Sequence, residues 1–255
     1  MMSDWNLEKQ RFLAAVVFYT RLPVSGFHFK SDDHTGDLQP TRYFPLIGVL
    51  IGLLSALTFV SAQPFFSKHL SVLFGLALAV WVSGALHEDG LADSADAFGA
   101  GWNPEEIRRI MKDSRIGVYG VLSLVFVFLI KFQALLEIGA VYLPLVWIAG
   151  HAFSRFAAIA LLIPLDYVGD SGSKSSSMVS LNKTGWAVAA LYGMIPLLGL
   201  GRASIPAFFA CLLIFWALWR FFEKRLGGVT GDCLGAAQQL TETLFYLVMA
   251  LSLKY

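Results

Sequence analysis

Apolar residues run along this chain in long blocks separated by short polar segments, the pattern of helices that cross a bilayer rather than of helices with one wet face. A helix needs roughly 20 apolar residues to cross a hydrocarbon core of about 30 Å. Seven runs approach that length: 44–62, 70–87, 118–136, 141–165, 186–201, 204–222 and 235–253. The fifth is short and holds Pro196; it either extends back toward Met178 or is re-entrant. Ahead of the first run, Leu7 to Thr20, with Trp5, Phe12 and Tyr19 in or beside it, reads as an amphipathic helix at the membrane surface.

Lys and Arg test this division, because cytoplasmic loops are enriched in them. Fourteen fall in alternate segments starting with the N-terminal one and three in the segments between, while Lys131 and Arg155 lie inside runs. This bias predicts a cytoplasmic N-terminus and an outside C-terminus. The expected fold is all-α: a polytopic integral membrane bundle of about seven transmembrane helices forming one domain, 1–255. Within it, 1–43 is a cytoplasmic or interfacial segment and 88–117 a cytoplasmic acidic catalytic loop.

Composition agrees. The 255 residues are 56% hydrophobic and 15% charged, with a mean hydropathy of +0.64, whereas soluble domains average about 45–50% apolar and about 25% charged. A net charge of +1 disfavours a nucleic-acid partner. Two cysteines, Cys211 and Cys233, are too few for a disulfide framework or a thiolate zinc site. The polar start and the short apolar stretch 12–19 do not read as a cleavable signal, so insertion is expected to use internal spans.

The densest polar text, His87-Glu88-Asp89-Gly90-Leu91-Ala92-Asp93-Ser94-Ala95-Asp96, follows the second run. If helical, it sets Asp89, Asp93 and Asp96 at i, i+4 and i+7 on one face. Like charges at this spacing repel, and hard divalent cations such as Mg²⁺ bind one or two carboxylates together with substrate phosphates. The cluster therefore reads as a metal–diphosphate site; the alternative is a solvated acidic loop paired with Arg108, Arg109 and Lys112. Asn103-Pro104-Glu105-Glu106 has the form of a helix start. The helix it opens delivers Lys112 and Arg115, suited to anionic oxygens, and Asp113, a further candidate metal ligand; salt bridging among themselves is the other reading. The loop Gly227-Gly228-Val229-Thr230-Gly231-Asp232 offers amides that can cradle phosphate, or is simply a tight turn. Arg155 is a candidate phosphate contact inside the fourth run, with His151 one turn before it. Lys131 and Glu242 either pair or line the cavity.

Three motifs resemble the cobalamin synthases, the adenosylcobinamide-GDP ribazoletransferases. They are His87-x-Asp89-Gly-x-Ala-Asp93-x-x-Asp96, Met111-Lys-Asp113-Ser-Arg115-Ile-Gly117-x-x-Gly120 and Gly227-Gly-x-Thr-Gly-Asp232-x-x-Gly-Ala236. Thr20-Arg21-Leu22-Pro23 and Tyr43-Phe44-Pro45-Leu46-Ile47-Gly48 resemble the same family's opening. Ala97 departs from a frequent Gly, and the 169–177 loop fits the pattern poorly.

The resemblance implies a Mg²⁺-dependent inner-membrane enzyme with its site on the cytoplasmic face. It would join adenosylcobinamide-GDP to α-ribazole or its 5′-phosphate, releasing GMP and forming adenosylcobalamin or its 5′-phosphate. On that reading Asp89, Asp93 and Asp96 hold metal, with Glu88 and Asp113 as auxiliaries. Arg115, Lys112, Arg155, Gly228, Gly231 and Asp232 contact substrate, and His87 or a carboxylate takes the hydroxyl proton. The lipid bilayer is a partner, nucleic acid is not, and other late cobalamin-assembly enzymes are candidate associates. Two rivals remain. One is a CDP-alcohol phosphotransferase, whose pattern expects Arg where Asp93 stands. The other is a divalent-cation or metabolite transporter, which would keep its charges at the bilayer midplane and often in two related halves.

Overall fold

A computed structural model describes residues 4–24, 39–169 and 181–254. Apart from Gly169, the 169–177 loop lies outside the described residues. Ten α-helices follow one another along these residues: α1 (Asp4–Tyr19), α2 (Phe44–Ala62), α3 (Lys68–Ser83), α4 (Leu86–Ala100), α5 (Pro104–Met111), α6 (Val118–Glu137), α7 (Leu143–Ala160), α8 (Lys183–Leu200), α9 (Ser204–Leu226) and α10 (Gly231–Ser252). A 3₁₀ turn, Pro40–Tyr43, leads into α2. Among the described residues there is no β-strand, only an isolated parallel bridge between Tyr167 and Val229.

Helix starts follow local chemistry, since the first N–H groups of a helix need acceptors that the helix does not supply. Side chains of Ser67, Asn103, Asn182 and Thr230 accept from the amides of Leu70, Glu106, Gly185 and Cys233 and so open α3, α5, α8 and α10. The fifth apolar run begins at Lys183 and stays helical through Pro196. The second run ends sooner than its hydropathy suggests. Gly84 and Ala85 both take left-handed backbone angles (φ 65° and 59°), closing α3 and starting α4 at a bend of 85°. The segment 88–117 is accordingly not one loop: its acidic part is helix α4, and α5 follows after a short link. The reason is that small residues interleave the aspartates and let the stretch pack as a helix.

Pro40–Ala62, Val118–Glu137, Leu143–Ala160 and the stretch Lys183–Leu226 are each long and apolar enough to cross a membrane, and α3 with α4 forms a fifth, broken candidate. The outer faces of α6 and α9 expose Phe126, Leu129, Leu213 and Trp216, a surface suited to lipid and foreign to a soluble monomer. The central helix is α7, with 72% of its apolar window buried against 28% for α6. It packs closely on α2 because Gly48 and Gly52 carry no Cβ; one added there would strike the backbone at His151 and Ile148. Gly150 similarly admits the ring of Tyr246 from α10. These pairings make α2 and α10 both antiparallel to α7. The starts of α2, α6 and α10 and the end of α7 therefore meet at one end of the bundle, where α4 crosses.

Candidate active site

Helix α4 lies against α10 at two glycines. A Cβ at Gly90 would sit 3.0 Å from both the Cα and the carbonyl oxygen of Asp232, and one at Gly235 would sit 3.3 Å from the Cα of Gly90. Only hydrogens fill this crossing, and it sets Asp89 and Asp93 of α4 beside Asp232 in the first turn of α10. The charges of Asp89, Asp232 and Asp96 all act on Asp93, and that of Asp89 acts on Asp232. Among the described salt bridges none compensates Asp89, Asp93 or Asp232. Exposure falls along the face: Asp89 is exposed, Asp93 half-buried and Asp96 buried.

Asp96 has a different occupation from its neighbours. Its carboxylate accepts the amides of Gly117 (2.6 Å) and Gly120 (2.9 Å), the first turn of α6, where Gly117 has no side chain with which to cap. An anion here meets the orphan amides and the positive end of the helix dipole. Both glycines are needed for space, because a Cβ on either would strike that carboxylate. The Ile116-Gly117-x-x-Gly120 part of the second motif is thus the receptor for the last aspartate of the first.

Asp113 and Arg115 bind each other, at 2.7 Å between guanidinium and carboxylate, on the exposed surface after α5. The side-chain and backbone hydrogen bonds from Arg115 hold the Asp113 carboxyl down at about 2. Lys112 follows α5 as its C-terminal cap. Gly228 does not have the open surroundings of a phosphate cradle: a Cβ there would strike the Asp166 carbonyl, which accepts the Val229 amide while the Val229 carbonyl accepts the amide of Val168. Gly231 is open and lines a cavity with Asp232.

Beneath the acidic face lies a buried polar network. Glu242 receives Lys131 (2.8 Å), His151 (2.9 Å), Gln238 (2.6 Å) and, more distantly, Arg155 (3.8 Å). Lys131 also donates to Gln239 (2.5 Å), whose amide donates to Glu88 (2.9 Å). Arg155 donates to the His151 carbonyl and stands over the ring of Phe44. Glu88 and Arg155 are thereby committed to the interior, where paired charges meet the high cost of burial. Sequence reading missed Ser154, Gln238 and Gln239 as members of this network. The available signal was polar residues one turn apart inside otherwise apolar helices.

A cavity of about 460 Å³ opens beside the carboxylates, lined by Asp89, Asp232 and His87 together with apolar residues that include Phe18, Phe44 and Ile159. Tyr19, Phe44 and His87 form a ladder of stacked rings with centroid separations of 4.3 Å and 5.3 Å. Sequence reading placed His87 at the site but did not see that α1 and the start of α2 complete its wall.

Hard oxygen donors that no described salt bridge compensates fit a divalent cation. Among the described residues, however, no three Asp, Glu, His or Cys side chains converge as a ready metal cage. Asp89, Asp93 and Asp232 therefore suit a cation that takes its other oxygens from a substrate, as Mg²⁺ does at phosphate sites.

A sequence profile of the family described as cobalamin-5-phosphate synthase matches residues 11–250. The chain is 41% identical to an adenosylcobinamide-GDP ribazoletransferase of Shewanella frigidimarina, over 96% of this chain and 95% of that one. It is 40% identical to the same enzyme of Vibrio cholerae over 100% and 98%, and 39% identical to that of Ralstonia nicotianae over 92% of each. No solved structure matches it. With the motifs of α4, the α5–α6 link and α10 assembled at one end of the bundle, and with relatives matched over nearly their whole length, the chain belongs to the cobalamin-5-phosphate synthase family.

Proposed function

We propose that this protein transfers the adenosylcobinamide phosphate unit of adenosylcobinamide-GDP to α-ribazole or its 5′-phosphate, releasing GMP, at the cytoplasmic face of the inner membrane. The observation that supports this most is the Gly90–Gly235 crossing, which gathers the aspartates of two sequence-distant motifs around one opening. A ribose hydroxyl of the acceptor attacks the phosphorus on the cobinamide side. Its oxygen forms the new P–O bond, its proton leaves, and the bond to the GMP phosphate breaks.

Such a transfer depends on positioning and charge neutralisation more than on covalent help from the protein. Mg²⁺ held by Asp89, Asp93 and Asp232 would neutralise diphosphate oxygens. Asp96 acts differently: by capping α6 it fixes the far end of α4 and so the direction of Asp93. His87, on the cavity wall, is placed to accept the hydroxyl proton. Arg115 and Lys112 lie near the bundle end, where they can meet the nucleotide's phosphates once Arg115 exchanges Asp113 for a substrate anion.

The test uses purified protein in lipid nanodiscs with adenosylcobinamide-GDP, α-ribazole and Mg²⁺. GMP and the joined corrinoid should appear in equal amounts, cease with a chelator and resume on Mg²⁺ addition. Absence of GMP with every component present would overturn the proposal.

A further inference from the structure

Two substrates must meet at the carboxylates, and the cavity beside them has the dimensions and chemistry of only one. Its volume of about 460 Å³ lies in the ordinary range for small-molecule sites, about 300–1,000 Å³. A corrin macrocycle with its amide arms does not fit within it. The GMP portion of the donor fits poorly for a chemical reason. Guanine carries donors and acceptors around its edge, and the surface lining the cavity is mostly apolar, with Phe18, Phe44, Ile159 and Leu162 in it, so that few of those groups would find partners. A dimethylated benzimidazole has an apolar edge and a flat face that suit such a surface, and the Tyr19, Phe44 and His87 rings, stacked on one another, all line it.

A second observation points to a ligand independently. His87 is 3% exposed, lines this cavity, and has no hydrogen-bond partner on either ring nitrogen among the described residues. A buried imidazole ordinarily finds a partner, so one that faces a cavity without one marks where a ligand's polar atom goes. Asp89 and Asp232 line the same cavity. Ribose hydroxyls supply the donors that imidazole and carboxylate accept, and this orientation turns the attacking oxygen toward the aspartates.

We propose that the cavity is the acceptor pocket: it takes the aromatic base of the nucleoside against Phe44, Ile159 and Leu162, and directs the ribose to His87, Asp89 and Asp232. The donor then approaches the carboxylates from outside the cavity. This assignment rests on the reading given under Proposed function.

Ile159→Trp fills the cavity without touching a carboxylate. In nanodiscs it should raise the KM for α-ribazole about tenfold or more and leave the KM for adenosylcobinamide-GDP within about twofold, the split expected when one substrate's ground-state contacts are removed. Equilibrium dialysis of labelled α-ribazole should show binding to the wild type that Ile159→Trp loses and His87→Phe weakens. Should the Trp variant fail to fold, Ile159→Ala serves instead. It enlarges the pocket and should shift preference toward nucleosides with a bulkier base. A raised donor KM with an unchanged acceptor KM would reassign the cavity to the donor, and unchanged values for both in folded variants would remove it from the substrate path. Wild type that binds α-ribazole in dialysis yet yields no GMP would overturn the activity and leave the pocket standing. Turnover with α-ribazole kinetics indifferent to Ile159 would do the reverse.

Discussion

Asp93 and Asp96 are three residues apart and of the same chemical type, and the structure gives them opposite relations to stability. Asp93 stands in the field of three other carboxylates, whereas Asp96 is held by two backbone amides at a helix start. Asp93→Asn removes repulsion, so the unfolding temperature in nanodiscs should stay level or rise while turnover falls about 100-fold or more, as expected for loss of a charged group that supports the transition state. Asp96→Asn loses an anionic cap and should destabilise by about 1–2 kcal/mol. Its activity should fall chiefly because α4 and α6 part. Thermal unfolding and GMP release measured on both variants check the pair. A stabilised Asp96→Asn would contradict the capping role, and an active Asp93→Asn would remove that residue from the site.

Among the elements, the decisive contact is α4 on α10. The glycines at this crossing let the two helices approach until backbone meets backbone, and neither helix alone contains the carboxylate cluster. Gly90→Ala should push α4 away from Asp232, with a stability loss of about 1–3 kcal/mol, the usual cost of overpacking, and a larger proportional loss of turnover. Near wild-type turnover in that variant would show that Asp232 acts independently of α4. The break before α4 is fixed in a related way. The Arg21 amide donates to the Val82 carbonyl at 2.8 Å, and the Arg21 side chain packs where a Cβ on Gly84 would go. The Thr20–Pro23 motif is therefore the brace of the α3–α4 bend, and that bend is what carries the aspartates across the bundle end.

For the whole molecule, the charge bias of the loops predicts which side each end of the bundle faces. Positions for labelling follow from exposure: Trp102, between α4 and α5, is 90% exposed, and Val141, before α7, is 87% exposed. Both native cysteines are buried, so background labelling should be low. In intact cells an impermeant thiol reagent should modify Val141→Cys and spare Trp102→Cys until the membrane is opened. The opposite pattern would invert the topology and move the acidic end outside. Ser94 and Val229, though in the motif segments, are buried and would report nothing about sidedness.

Much of this protein is present in the order of its residues. An apolar run long enough to cross a membrane is a local property, and so α2 begins and ends at Phe44 and Ala62, where hydropathy puts the first run. The Asn103-Pro104 start of α5 is equally local, because a cap and its amide lie three residues apart. The aspartate spacing likewise puts the candidate chemistry on one helical face. Tertiary structure decided what each polar residue does there. Arg155 and Glu88 look like site residues in the chain, yet they are drawn inward by Glu242 and Gln239, which lie 87 and 151 residues away in sequence and one contact away in space. Asp96 resembles Asp93 until α6 arrives to claim it. No local rule tells a carboxylate left among its like from a capping one, since the difference lies in which distant amide or charge the packed bundle brings alongside.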